Sequence, residues 1–187
     1  MRRWPYVFLV LAVSLTVLAL SLPAPSLAAP LPEFRPNTLY RAEVQRVVDG
    51  DTCIFLVHLD EGHDVRERVR FLGVDTPETV HPQKDVQYYG PEASAYTEAA
   101  LPPYREVWLQ TDVGIRDRYR RLLAYVWLEE PEDLDDEGEV MDKMLNARIL
   151  SEGYGQVMTI QPNARYANLF VYLERDAREG ERGMWQR

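Results

Sequence analysis

The sequence predicts an α+β domain built on a small five-stranded β-barrel with about three helices. Five short runs rich in β-branched and aromatic residues, 39–48, 52–59, 65–74, 107–111 and 122–128, are separated by turn chemistry, as the strands of a closed or partly closed barrel are. Three further stretches carry helix signals. At 187 residues the chain suits a leader plus one domain with a sizeable core.

In chain order, residues 1–28 read as a signal peptide. Arg2 and Arg3 precede an apolar run over 7–20, and Ser26-Leu27-Ala28 suits cleavage after a small residue. An uncleaved anchor is the alternative reading, although the run is short for a membrane span. Export through the membrane implies a secreted or periplasmic protein. Residues 29–38 form a Pro-rich linker, and 39–187 the domain.

Within the domain, 39–48 alternates as a half-buried strand does, and 60–64 is the hairpin loop between the second and third strands. The polar loop 80–88 is expected to be mobile. Gly90-Pro91-Glu92 starts a helix, with proline in the first turn and an acid near the positive end of the dipole, and Pro102-Pro103 stops it. Residues 129–139 hold eight acids and no base and read as a solvated, flexible insertion. Met141, Met144, Leu145 and Ile149 fall at helical spacing before Gly153, and Tyr166, Leu169, Phe170, Leu173 and Ala177 before Gly180. Both stripes are core. Trp185 is expected to be a packing anchor.

Cys53 is the single cysteine, which excludes an internal disulfide and a zinc-cysteine cluster; in a strand it reads as a small apolar residue. His58, His63 and His81 lack paired ligand spacing, leaving a zinc hydrolase without support. Removing 1–28 takes two of the 21 basic residues and none of the 30 acids, so the mature charge is −11. The densest basic patch is Arg116, Arg118, Arg120 and Arg121, a local attractor for phosphate on an acidic protein.

Two polar clusters interrupt the apolar runs: Asp49-Gly50-Asp51-Thr52, and Asp75-Thr76-Pro77-Glu78-Thr79 directly after a strand that carries Arg70. Each alone is ordinary turn chemistry. Brought together by antiparallel pairing, Asp51 and Asp75 would offer hard oxygens suited to Ca²⁺ or Mg²⁺. The third cluster is Asp117-Arg118-Tyr119-Arg120-Arg121, and carboxylates with separated arginines suggest phosphate.

With these clusters and Tyr89-Gly90-Pro91-Glu92-Ala93-Ser94 in this order, the chain resembles the staphylococcal nuclease family over roughly residues 39–185. The resemblance implies an OB-fold-like barrel and a Ca²⁺-dependent nuclease that cuts single-stranded DNA and RNA, and duplex DNA where it frays. It implies Asp51 and Asp75 as carboxylate ligands of Ca²⁺, with the Thr76 carbonyl as a third. It further implies Glu78 as general base, Arg70 and Arg121 on either side of the scissile phosphate, Asp49 orienting the ligands or their waters, and Tyr119 beside the phosphate. Nucleic acid is then the partner of a monomer with no stable protein partner, and the membrane is met only in passing through the leader. Three departures stand out. Arg120 and Leu122 replace the glycines that usually flank the second arginine, the segment 157–162 has no aromatic residue to sandwich a base, and 129–139 is strongly acidic. The alternative function is a non-catalytic OB-fold nucleic-acid-binding module, since such barrels serve widely as platforms. A Ca²⁺-dependent adhesion domain and an aspartic protease lack their motifs, Ile54 standing where an EF-hand has its glycine.

Overall fold

The computed structural model describes residues 33–59, 62–79 and 86–186; the expected leader lies outside them, as does most of the 80–88 loop. A closed barrel runs in the order β1 (Leu39–Asp49), β2 (Thr52–His58), β3 (Asp64–Phe71), β6 (Leu122–Trp127) and β5 (Glu106–Gln110). Its pairs are antiparallel except β3 with β6, which are parallel. Alternation decides what fills it: Val44, Cys53, Phe55, Val69, Phe71 and Val107 are all fully buried, and closure leaves no unpaired barrel edge.

Among the described residues four α-helices surround the barrel: α1 (Gly90–Ala100), α2 (Glu137–Lys143), α3 (Leu145–Ser151) and α4 (Ala167–Glu179). The expected helix through Met141 and Ile149 breaks at Met144, whose extended backbone bridges to Trp127 of β6. The break rotates the stripe: Val140 is buried and Met141 exposed, while Met144, Leu145 and Ile149 stay in the core. Asn146 of α3 ties the layers together, donating to the Leu72 carbonyl at 2.8 Å and accepting from the Val126 N–H at 2.8 Å. The core stripe of α4 is as expected, every named residue being buried. Trp185 is half-buried, with the Arg178 guanidinium 4.0 Å over its ring.

The third strand is also shorter than its apolar run. After Phe71 the chain turns at Gly73, with φ +77°, into β4 (Gly73–Asp75), which leaves the barrel and pairs with β7 (Gln156–Met158) in a separate two-stranded sheet. Periodicity cannot show this, because β4 is as apolar as the strand before it. A β-carbon on Gly73 would lie 2.4 Å from the Phe170 ring. Gly73→Ala combines a left-handed alanine with overpacking, and urea denaturation is expected to show a loss of roughly 3 kcal/mol.

The acidic segment is partly built into the fold. The Asp136 side chain caps α2 by accepting from the Glu139 N–H, Asp135 pairs with Arg165 at 2.7 Å, and the Leu134 carbonyl accepts from the Tyr166 hydroxyl at 2.7 Å. At the other end, residues 34–38 lie against the barrel, with Thr111 donating to the Arg35 carbonyl and Phe34 packed edge-on to Tyr40. No described helix is long and apolar enough to cross a membrane.

Candidate active site

The β1–β2 turn, the end of β3 and the end of β4 meet at one rim of the barrel. Gly50 lets them do so: a β-carbon there would lie 2.6 Å from the Thr76 hydroxyl. The turn is held from behind by Thr97 of α1, which donates to the Gly50 carbonyl at 2.7 Å. Asp51 is thereby placed against Thr76, whose backbone N–H donates to its Oδ2 at 3.0 Å and whose hydroxyl lies 3.3 Å away.

Arg70 joins the pieces. Its Nη2 lies 3.1 Å from Asp51 Oδ2 and 2.9 Å from Asp75 Oδ1, while Nη1 donates to the carbonyls of Phe71 at 3.0 Å and Val74 at 2.6 Å. Arg70 is 4% exposed and Asp51 6%. Burial pushes the Asp51 carboxyl up to about 6; the Arg70 guanidinium pulls it back, and the neighbouring Asp49 carboxylate raises it again. Asp49 Oδ1 also accepts from the Asp51 N–H at 3.2 Å. One guanidinium therefore leaves part of the carboxylate charge uncompensated.

Across the cleft stands the 117–121 turn. Asp117 organises it, accepting from the N–H groups of Tyr119 and Arg121, both at 2.9 Å, and pairing with Arg121 Nε at 2.7 Å. Because that pair uses Nε, the terminal nitrogens of Arg121 make no hydrogen bond among the described residues. Tyr119 is exposed, with the Arg118 and Arg121 guanidinium carbons 4.7 and 5.6 Å from its ring centre. Arg120, where the resemblance leads one to expect glycine, has φ +65°: the turn holds a side-chain-bearing residue, at a strain, in the left-handed region that glycine favours. Arg120→Gly is expected to raise the urea midpoint, by about 1 kcal/mol of stability, the relief exceeding the entropic cost of glycine.

All eight sequence-derived site residues line one cleft of about 790 Å³: Asp49, Asp51, Arg70, Asp75, Thr76, Glu78, Tyr119 and Arg121. Glu78 is held through its backbone, its N–H donating to Gln87 Oε1 and its carbonyl accepting from the Gln87 N–H, both at 2.9 Å, and Glu78 Oε1 accepts from the Thr79 N–H at 3.1 Å. Sequence reasoning missed Gln87, which sits in the loop expected to be mobile and has no local signal. It also missed Arg68, which lines the cleft, and Glu67, whose carboxylate takes Arg116 in a two-point pair at 2.6 and 2.8 Å. No residue of 129–139 lines the cleft.

Five acids and five arginines line it, so a polyanion gains little from the cleft's net charge, and an added cation would tip the balance. The described residues hold no ready-made cluster of three or more metal-ligating side chains. The oxygen donors present, the buried and undercompensated Asp51 carboxylate, the Asp75 carboxylate and the Thr76 carbonyl, fit a hard divalent ion bound weakly and do not fit a thiophilic one.

A closed barrel whose rim gathers paired carboxylates, a buried arginine and a second arginine whose terminal nitrogens are unbonded among the described residues has the chemistry to hold a phosphodiester beside a proton acceptor. The family model described as staphylococcal nuclease homologue matches residues 68–187. Relatives include a thermonuclease of Staphylococcus intermedius, 39% identical over 145 residues that span 77% of this chain and 75% of that protein. A thermonuclease of Staphylococcus hyicus is 34% identical, with 76% and 74% covered. Endonuclease YncB of Bacillus subtilis is 31% identical, with 80% of this chain and 63% of that protein covered. The chain belongs to the staphylococcal nuclease family.

Proposed function

We propose that this protein is a Ca²⁺-dependent endonuclease, working outside the cytoplasm after loss of residues 1–28, that hydrolyses single-stranded DNA and RNA and frayed duplex DNA. The observation that carries the reading is the convergence of Asp51, Asp75, Arg70, Glu78 and Arg121 on one cleft. A pure binder has no physical need for carboxylates beside phosphate. The relatives named thermonuclease and endonuclease support it.

Asp51, Asp75 and the Thr76 carbonyl would hold Ca²⁺, which supplies positive charge that polarises the phosphate and offsets its negative charge. An extracellular setting suits a weak site of ~10⁻⁴–10⁻³ M affinity. Glu78 takes the proton of the attacking water as its oxygen bonds to phosphorus, and the leaving oxygen departs on the opposite side. Arg121 presents its free terminal nitrogens to the phosphate oxygens, where a planar fork grips two at once. Arg70 stabilises the charge that develops there while keeping Asp51 and Asp75 aligned. Asp49 orients Asp51 through its backbone N–H.

Where a base would rest, Met158 lines the main cleft and Ile160 an adjoining groove of about 370 Å³. Segment 157–162 brings no aromatic face there, and Tyr119 is the aromatic ring among the residues lining both; with stacking, worth ~1–3 kcal/mol per base, limited to that ring, cleavage shows little base preference. The test is a closed circular single-stranded DNA offered beside its linear form with Ca²⁺. An endonuclease opens the circle; consumption of the linear strand alone sinks the endonuclease reading.

A further inference from the structure

Strand β3 carries more positive charge than the catalytic reading uses. Residues 66, 68 and 70 are all arginine, and the two-residue period of a strand puts them on one face at steps of about 6.7 Å. That step is comparable to the separation of successive phosphates along an extended single strand. The innermost, Arg70, is the buried arginine of the cleft; Arg68 is exposed and lines the same cleft; Arg66 is exposed further along.

Surface arginines in this acid-rich chain are commonly neutralised. Arg41, Arg116, Arg121, Arg165, Arg178 and Arg182 each pair with a carboxylate. Arg66 and Arg68 form no ion pair or side-chain hydrogen bond among the described residues. The register explains it: Arg68 lies opposite Ile54 and Arg66 opposite Leu56, so their cross-strand neighbours on β2 are aliphatic. Asp64, the next acid along the strand, is engaged by His58 Nδ1 at 2.8 Å, and Glu67 is held by Arg116.

We infer that Arg66 and Arg68 form a phosphate track, gripping the two backbone phosphates of a single-stranded nucleic acid that follow the one held between Arg70 and Arg121. This rests on the phosphodiesterase reading above. The substrate then runs from the cleft along β3 toward the β2–β3 hairpin, and the enzyme favours strands several nucleotides long over dinucleotides. Continuity with Arg70 favours nucleic acid over an anionic membrane as the occupant, because the file of arginines ends inside the cleft.

The test measures binding of fluorescent oligothymidylates, two and eight nucleotides long, to the full chain with Ca²⁺ present and Glu78→Gln as a slow-cleaving parent. The double variant Arg66→Gln/Arg68→Gln is expected to bind the octamer roughly tenfold more weakly, with its log–log salt slope reduced by ~1.4, as two lost phosphate contacts require. Dinucleotide binding stays unchanged, and Arg66→Lys/Arg68→Lys keeps most of the slope. An unchanged octamer slope overturns the track and leaves the enzyme reading standing. Equal losses for dimer and octamer also overturn it, since they mean damage to the cleft. So does a double variant that loses binding to vesicles of anionic phospholipid while keeping the octamer. A folded parent that binds neither oligonucleotide overturns the track together with the nuclease reading.

Discussion

Replacing Glu78 by glutamine is expected to slow cleavage of single-stranded DNA by about 10²–10⁴-fold, the range that a positioned general base supplies. The substitution keeps size and shape. Glutamine retains the oxygen that accepts from the Thr79 N–H, and the backbone hydrogen bonds to Gln87 do not involve the side chain. For catalysis it removes the capacity to accept the water's proton. Circular dichroism and the urea midpoint are therefore expected to match the parent within about 0.5 kcal/mol, and the loss to fall on kcat rather than on KM. Cleavage by a folded Glu78→Gln at the parental rate would show that another group takes the proton.

Arg70 is expected to be the costliest side chain to change. Its two terminal nitrogens serve two carboxylates and two main-chain carbonyls, a division of labour that a single ammonium cannot reproduce. Arg70→Ala leaves Asp51 buried without its counter-ion, and breaking such a pair costs about 3–5 kcal/mol. Arg70→Lys keeps a charge but loses the fork; stability falls less, and kcat is expected to drop about 10²–10³-fold, as when a preorganised transition-state donor is lost. Urea denaturation with and without Ca²⁺, beside the cleavage rate, separates the two effects. If the proposed Ca²⁺ site is real, the Ala variant is expected to regain some stability with Ca²⁺, because the ion would replace part of the missing charge; a Lys variant with parental kcat would exclude a role for the fork at the phosphate.

Most of the barrel was legible because its strands announce themselves. Alternation in 39–48, the Asp49-Gly50 turn between two β-branched runs, and proline at the head of α1 are local signals that tertiary packing has no reason to override. The breaks were not legible. Leu72 and Gly73 lie inside an unbroken apolar run, and what turns the chain there is the packing of Phe170 against Gly73 together with the pull of Asn146 on the Leu72 carbonyl, both contributed from far along the sequence. The same holds at Met144, whose helical spacing is intact but whose backbone is drawn out to bridge Trp127.

The cleft was legible as residue types and only partly as geometry. Asp51, Asp75 and Arg70 stood out as charge beside apolar strands, and they do meet. That Arg70 would be buried, bonded to both carboxylates and to two carbonyls, follows from the β4 turn and so could not be read before it. Arg120 marks the opposite case. An arginine stands where glycine was expected, and the backbone there is nonetheless left-handed, since Asp117 closes the turn through its own side chain.

The most direct measurement is hydrolysis of a 5′-labelled single-stranded DNA by the full wild-type chain, with Ca²⁺, with chelator, and with Ca²⁺ restored. The account predicts cutting within the strand when Ca²⁺ is present, none with chelator, and recovery on restoration. A folded protein that binds the strand and leaves it intact under every divalent ion tried would contradict it, and would make this barrel a binding module in which the carboxylates serve only to hold Arg70.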